Sequence, residues 1–259
     1  RVTLDIRNKV GGPGEAKNVV AEIRGSERPE EIVLLGAHLD AWDLGTGALD
    51  NGVNCALVVD VARAIAAGPR PKRTIRFVLF TGEENGLLGS FGYARTHRAE
   101  LDRHVAVVIH DIGDGRITGY YVNGRPDLEG AVKAAMKPVA SRGATEVVEE
   151  AILGTDNFDF LLEGVPNLVA NQDTGRYLAD YHAESDTFDK VDLDLARNNA
   201  AVAAVVVSGI ANAPGRLGPR QSRAEIARLL ADERWKLEEQ MKVYGIWADW
   251  ESGTRGRQK

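Results

Sequence analysis

The front of the chain is built from short apolar runs broken by turn residues. RVTLDIR, NVVAEIRG and EIVLLGAH carry apolar side chains in alternation or in short runs, and GGPGE and GSERPEE separate them. That pattern predicts three strands, over 1–7, 18–25 and 31–38. A small-residue apolar stretch from about Val53 to Ala67 reads as a helix stopped by Gly68-Pro69. TIRFVLFTG is almost continuously apolar, as expected of a strand buried on both faces. The pattern then alternates: a helix near Leu87 to His97, strands VAVVIHD and ITGYYVNG, a helix near Leu128 to Ser141 and the strand EVVEEAIL. A short helix near Phe158 to Glu163, the strand NLVANQ and a long helix near Leu193 to Asn212 complete it. Strands alternating with helices predict an α/β fold, a mostly parallel sheet with helices on both faces.

The pattern changes after Pro214, which suggests a main domain over 1–213 and a helical extension over 214–259. Ser222 followed by Glu225 forms a capping box opening a charged helix to about Val243. Ile226, Leu230, Leu237 and Met241 fall on one stripe of it, and Trp247 and Trp250 follow. Such a stripe packs either on its own domain or on a second subunit of a homodimer.

Composition narrows the function classes. A chain of 259 residues is long enough for one large domain with a buried core. A net charge of −6 with no long basic block argues against a nucleic-acid partner. The longest apolar run, around Ala200 to Val207, is too short for a membrane span. The one cysteine, Cys55, sits among small apolar residues and reads as a buried hydrophobe; no disulfide within the chain is possible. The chain opens on Arg1 and at once alternates Val2, Leu4 and Ile6, as a mature or truncated form of a longer protein would. Export follows as an expectation, to the periplasm or the medium.

Potential metal ligands stand at the ends of the apolar runs. His38 and Asp40 end EIVLLGAHLD, Glu83 and Glu84 end RFVLFTGEE, and Asp111 ends VAVVIHD. Asp50 lies in the turn GTGALDNG and His182 in the loop YHAESDT. Ligand sites of open α/β sheets form beyond the carboxyl ends of the strands, so this pattern gathers distant residues at one edge. Singly, a His at a strand end is ordinarily structural and a Glu pair ordinarily surface charge. Together, two His with several carboxylates make a mixed nitrogen and oxygen set suited to Zn²⁺, and no thiolate set competes.

The four segments GAHLDAWDLGTGALDNG, FTGEENGLLGS, the HD at 110–111 and YHAESDT resemble the successive motifs of the co-catalytic zinc exopeptidases, metallopeptidase family twenty-eight. That family includes secreted bacterial aminopeptidases and plasma glutamate carboxypeptidase. HLDAWD, PKRT and GTDNFDF resemble the latter most, and the likeness covers roughly Val2 to Ala213. The resemblance implies a three-layer α/β/α sandwich with a mostly parallel mixed sheet. It implies two Zn²⁺ ions, one held by His38 and Asp111, the other by Glu84 and His182, with Asp50 bridging. Glu83 would be the general base, passing a proton from water to the leaving amine. Tyr181 would steady the developing oxyanion or simply pack. Asp40 would orient a ligating imidazole. Asp50–Asn51 would be a cis peptide, rare outside proline.

Two departures stand out. His110 occupies a position where the family usually has Asn, and strand alternation predicts that it points away from Asp111. The protease-associated domain that relatives of the plasma enzyme insert before the catalytic motifs has no room in this chain. The substrate implied is a peptide or dipeptide. A free amino terminus would want acidic groups near the metals and a free carboxylate a basic clamp, for which Arg176 is a candidate. Two other classes share the scaffold, a single-zinc glutaminyl cyclase and a receptor-like relative without metal. Metal content separates them: two, one or none.

Overall fold

The structure, a computed structural model, describes residues 2–5, 7, 11, 12 and 14–258. Seven strands are present among them: β1 (Val19–Ile23), β2 (Arg28–His38), β3 (Arg73–Phe80), β4 (His104–Ile109), β5 (Ile117–Tyr121), β6 (Glu146–Val148) and β7 (Asn167–Gln172). They form one sheet in the order β1-β3-β2-β4-β7-β5-β6. β3, β2, β4 and β7 run parallel, β1 lies antiparallel on β3, and β5 lies antiparallel on β7. The sheet is therefore mixed, with a parallel centre. The strand expected over RVTLDIR is not seen: Val2 and Leu4 are exposed and outside any strand, and Arg1 and Ile6 lie outside the described residues.

The near-continuous apolar run of β2 reflects burial on both faces. Val33, Leu35 and Ala37 face helices α1 (Val53–Ala66), α3 (Glu129–Met136) and α6 (Leu193–Asn212) in one core cluster. Leu34 shares the other cluster with Val78, Phe80, Val107 and Ile109, and with Tyr93 of α2 (Leu88–Thr96) and Phe160 of α4 (Asn157–Leu162). Helices thus cover both faces, giving three layers. Gly36 is required where β2 passes under Phe80, because a Cβ there would come 2.7 Å from the ring. α6 is long and apolar enough to cross a membrane by length and composition, which the sequence pattern did not suggest. Here Val202, Ala203, Val206 and Val207 are buried in the core.

Register positions the chemistry. His38 pairs with Phe80, and Gly36 with Ile109, so β2, β3 and β4 finish at one edge. Asp40, Glu83, Glu84 and Asp111 leave the sheet there.

The tail differs from its expected form. The single helix to Val243 is instead α7 (Arg223–Leu230), α8 (Leu237–Val243) and α9 (Trp247–Ser252). The capping box at Ser222 and Glu225 is present. The helix stops where Asp232 accepts a hydrogen bond from the Arg234 amide (3.0 Å), and Lys236 is left-handed. Ile226, Leu230, Leu237 and Met241 are all buried against Phe158, Leu161 and Leu162 of α4, so the stripe is satisfied within the chain. Beneath it Arg255 makes a two-pronged ion pair with Asp159, Nε to Oδ1 at 2.8 Å and Nη2 to Oδ2 at 2.9 Å, with both side chains buried. Burial raises the Asp159 pKa and Arg255 opposes that rise.

Removing one member of a buried pair leaves the other unsatisfied. Arg255→Met should therefore cost roughly 3 kcal/mol in chemical unfolding, far more than loss of an exposed pair. A loss under about 1 kcal/mol would show that water solvates Asp159 in its place.

Candidate active site

His38, at the end of β2, directs Nδ1 at the Asp40 carbonyl oxygen, 2.9 Å away. A carbonyl only accepts, so Nδ1 carries the proton and Nε2 is turned to the carboxylates. Nε2 lies 2.7 Å from Asp111 Oδ1 and 3.0 Å from Asp50 Oδ1. On the other side of Asp50, His182 Nε2 lies 3.3 Å from Asp50 Oδ2 and 3.0 Å from Glu84 Oε2. Each oxygen of Asp50 thus faces a different imidazole. His38, Asp50 and Asp111 form one group able to hold a cation; Asp50, Glu84 and His182 form a second. His38, Glu83 and Glu84 form a third such group.

The electrostatics call for positive charge. Burial alone would lower the His38 pKa, but Asp111 and Asp50 overturn it and raise it. Burial pushes the Glu83 carboxyl up to about 10, with Asp111 adding to the rise. Glu84 is pushed up to about 7 by burial and by Asp50. Asp50 Oδ2 and Glu84 Oε1 are buried with no hydrogen-bond donor among the described residues. Carboxylates packed this closely want a proton or a metal cation between them. Buried acceptors without donors, and imidazole nitrogens aimed at them, fit divalent metal ions and fit zinc by donor type.

Surrounding groups hold these side chains. Asp40 acts differently from expectation. Its carboxylate accepts hydrogen bonds from the Glu83 and Glu84 amides (3.1 and 3.2 Å), while its carbonyl orients His38. The Asp50–Asn51 peptide is cis, as the resemblance implied. Asn51 Nδ2 donates to the His110 carbonyl at 3.0 Å, and Asn54 Nδ2 donates to Asn51 Oδ1 at 2.7 Å. His110 itself is fully buried, edge-on to Tyr120, and belongs to none of the three groups. Burial depresses its pKa to about 3, so it is neutral. The Cys55 thiol donates to the His38 carbonyl at 2.8 Å, and burial pushes it up to about 12, which suits a packing residue.

Tyr181 is half exposed and stacks on His182, with ring centroids 3.7 Å apart. Trp42 flanks His182 from 5.4 Å. Arg176 is not in the cleft. It pairs with Asp114 (3.3 Å) and approaches Asp192 (3.8 Å). Three residues escaped the sequence reading. Asp186, four positions past His182, is buried and accepts from the Leu49 amide (2.6 Å) and the Asp50 amide (3.0 Å). Tyr177, on the four-residue α5 (Tyr177–Asp180), is buried edge-on to Tyr181. Burial, then Asp50 and Asp111, keep its phenol protonated. Asp156, in GTDNFDF, is fully buried within electrostatic reach of His38 and Asp111, and burial pushes it up to about 8.

The family model described as Peptidase family M28 matches residues 18–207. The chain belongs to that family. Carboxypeptidase Q of Rattus norvegicus is 36% identical over 196 residues, covering 75% of this chain and 41% of the relative. A crystal structure of a Peptidase M28 precursor from Shewanella amazonensis SB2B superposes with TM-score 0.74 at 38% identity, over 79% of this chain and 47% of that one. An aminopeptidase from Aneurinibacillus sp. strain AM-1 gives TM-score 0.64 at 25% identity, covering 79% of this chain and 50% of its own. The chain spans less than half the length of the curated relative and of the Shewanella structure it matches.

Asp186→Ala should free the Asp50 turn without touching the candidate ligands. Two charge-assisted hydrogen bonds are lost, worth about 1.5–3 kcal/mol each. Amide hydrogen exchange at Leu49 and Asp50 should speed up while exchange at the centre of β2 is unchanged. Unchanged protection at both amides would mean the turn is held by other contacts.

Proposed function

We propose that this chain is a zinc-dependent exopeptidase, an aminopeptidase or dipeptidase, with residues 1–213 as its catalytic domain and 214–259 as a helical extension. The observation that carries the reading is Asp50, whose two oxygens face two imidazoles, each backed by a further carboxylate. His38 and Asp111 would hold one ion, Glu84 and His182 the other, and Asp50 both. Bound there, two zinc ions would supply Lewis acidity and lower the pKa of a water.

The chain's own residues do the rest. Glu83 is buried beside the ligands, and its backbone is fixed by Asp40. It takes the proton from the attacking water and delivers it to the amine as the carbon–nitrogen bond breaks. Tyr181, at the rim, donates its hydroxyl to the substrate carbonyl oxygen as charge grows there. Burial and nearby acidic groups raise its pKa, so the donor proton is retained.

Polarity favours a free amino terminus. The cleft beside the ligands, about 690 Å³, offers no free basic clamp for a substrate carboxylate: its one arginine among the described residues, Arg255, is paired with Asp159. A glutamate carboxypeptidase-like activity is the second reading, supported by the likeness to Carboxypeptidase Q. A single-zinc glutaminyl cyclase is the third. The likeness to the Shewanella Peptidase M28 precursor supports a secreted or periplasmic location.

Zinc-loaded protein should contain about two equivalents by elemental analysis, and Asp50→Ala should lower both. Glu83→Gln should retain the metal while turnover of aminoacyl anilides falls by at least ~10². One equivalent with cyclisation, or cleavage restricted to N-blocked peptides with free carboxylates, would transfer the case to the alternatives.

Tyr181→Phe removes one oxygen and keeps the stack on His182. An oxyanion role predicts a fall in kcat of roughly 10²–10³ with KM and zinc content little changed. Near-normal kcat would leave Tyr181 as packing alone.

A further inference from the structure

The residues beyond 207 lie outside the family match, yet they reach the cleft. Glu84 and His182 line its metal side, and Val243, Tyr244 and Ile246 line the side contributed by the tail. Leu87 and Leu153 join that wall. Val243 and Tyr244 are 83% and 63% exposed, whereas Leu237, Met241, Ile246 and Trp250 around them are buried. The tail thus covers its large apolar side chains elsewhere and leaves these two open where the cleft begins.

Their position is set by the backbone. Gly245 takes φ 73, its amide donates to the Lys242 carbonyl, and the Ile246 amide donates to the Met241 carbonyl at 2.9 Å. This paired closure is the Schellman end of α8, and Ile246 and Met241 share the buried cluster that usually accompanies it. Val243 and Tyr244 therefore stand on a capped helix end and not on a loose loop. Arg255 fastens the same tail below the cleft through Asp159 and also reaches the Gly86 carbonyl, 3.4 Å away. Its charge is offset by Asp159, so the tail's wall is apolar and uncharged, while the opposite side carries the candidate metal ligands Glu84 and His182.

We propose that the tail is a specificity element: Val243 and Tyr244 receive an uncharged, apolar side chain of the leucine, methionine or phenylalanine class on the residue next to the scissile bond. This rests on the exopeptidase reading above. An acidic side chain would lose its hydration against Val243 and Tyr244 with no free cation on that wall among the described residues, since Arg255 is paired with Asp159, and a short one would leave the wall wet.

The test uses the full chain loaded with zinc, comparing leucyl and aspartyl 4-nitroanilides in wild type, Val243→Arg and Tyr244→Ala. Both sites are exposed, so melting temperatures should stay put. The wild type should prefer the leucyl substrate. Val243→Arg should shift the leucyl-to-aspartyl ratio of kcat/KM by ~10-fold or more toward aspartyl, and Tyr244→Ala should weaken the leucyl rate. A second measurement is calorimetric binding of L-leucinamide and L-aspartic α-amide to Glu83→Gln, with and without Val243→Arg. Turnover with ratios and affinities indifferent to both substitutions would overturn the wall and leave the hydrolase intact. No turnover of any substrate, with leucinamide still preferred and that preference erased by Val243→Arg, would sink the hydrolase reading and uphold the wall.

Discussion

Asp50 faces one imidazole with each of its oxygens, and most of the polar structure nearby serves to keep it so. Asp186 takes the amides of Leu49 and Asp50, Asn51 ties the turn to the strand end at His110, and Asn54 steadies Asn51. The ligands on either side arrive from three parallel strand ends and one distant loop, and only the register of β2 against β3 and β4 makes them meet. Burial and like charge raise the Glu83 and Glu84 carboxyls beside Asp50, so the cluster calls for a cation or protons to offset it. The backbone amides nearby donate to Asp186 and Asp40 and not to the ligand carboxylates, and Asp50 Oδ2 and Glu84 Oε1 have no donor among the described residues.

The sheet centre was plain in the sequence because burial on both faces leaves continuous apolar runs. β2, β3 and β4 announce themselves in that way, and the mixed edges follow from short, weaker strands such as Glu146–Val148. The tail was read less well for a simple reason. Ile226, Leu230, Leu237 and Met241 are spaced four, seven and four apart, which one continuous helix satisfies as readily as two helices sharing a cluster. The break falls at Asp232 to Lys236, where a local side-chain bond and a left-handed lysine carry no periodic signal.

His38, Glu83, Glu84 and Asp111 were legible because each follows the end of an apolar run, and Asp50 and His182 through the motifs GTGALDNG and YHAESDT. What holds them was not. Asp186 looks like one more polar residue of the loop YHAESDT, and its role depends on meeting residues 136 and 137 positions earlier in the chain. The resemblance implied that Asp40 orients an imidazole; here its carbonyl accepts from His38 Nδ1, and its carboxylate, 3.8 Å from that nitrogen, holds the Glu83 and Glu84 amides. Tyr177 sits on a helix of four residues, too short for any pattern.

The loop from Glu83 to Leu87 joins the candidate catalytic machinery to the wall opposite it. At its start Asp40 fixes the amides of both glutamates; two residues on, Gly86 offers its carbonyl to Arg255, and Leu87 enters the tail's buried cluster. Ser90, just beyond, donates to Asp159, the partner of Arg255. A movement of the tail would thus be felt at the glutamates through backbone contacts, and not only through a substrate. The tail's wall and the two glutamates share one short support. A wall that could drift would blur the position of Glu83 as well as the shape of the cleft, and the buried anchors Ile226, Leu230, Leu237, Met241, Ile246 and Trp250 hold it.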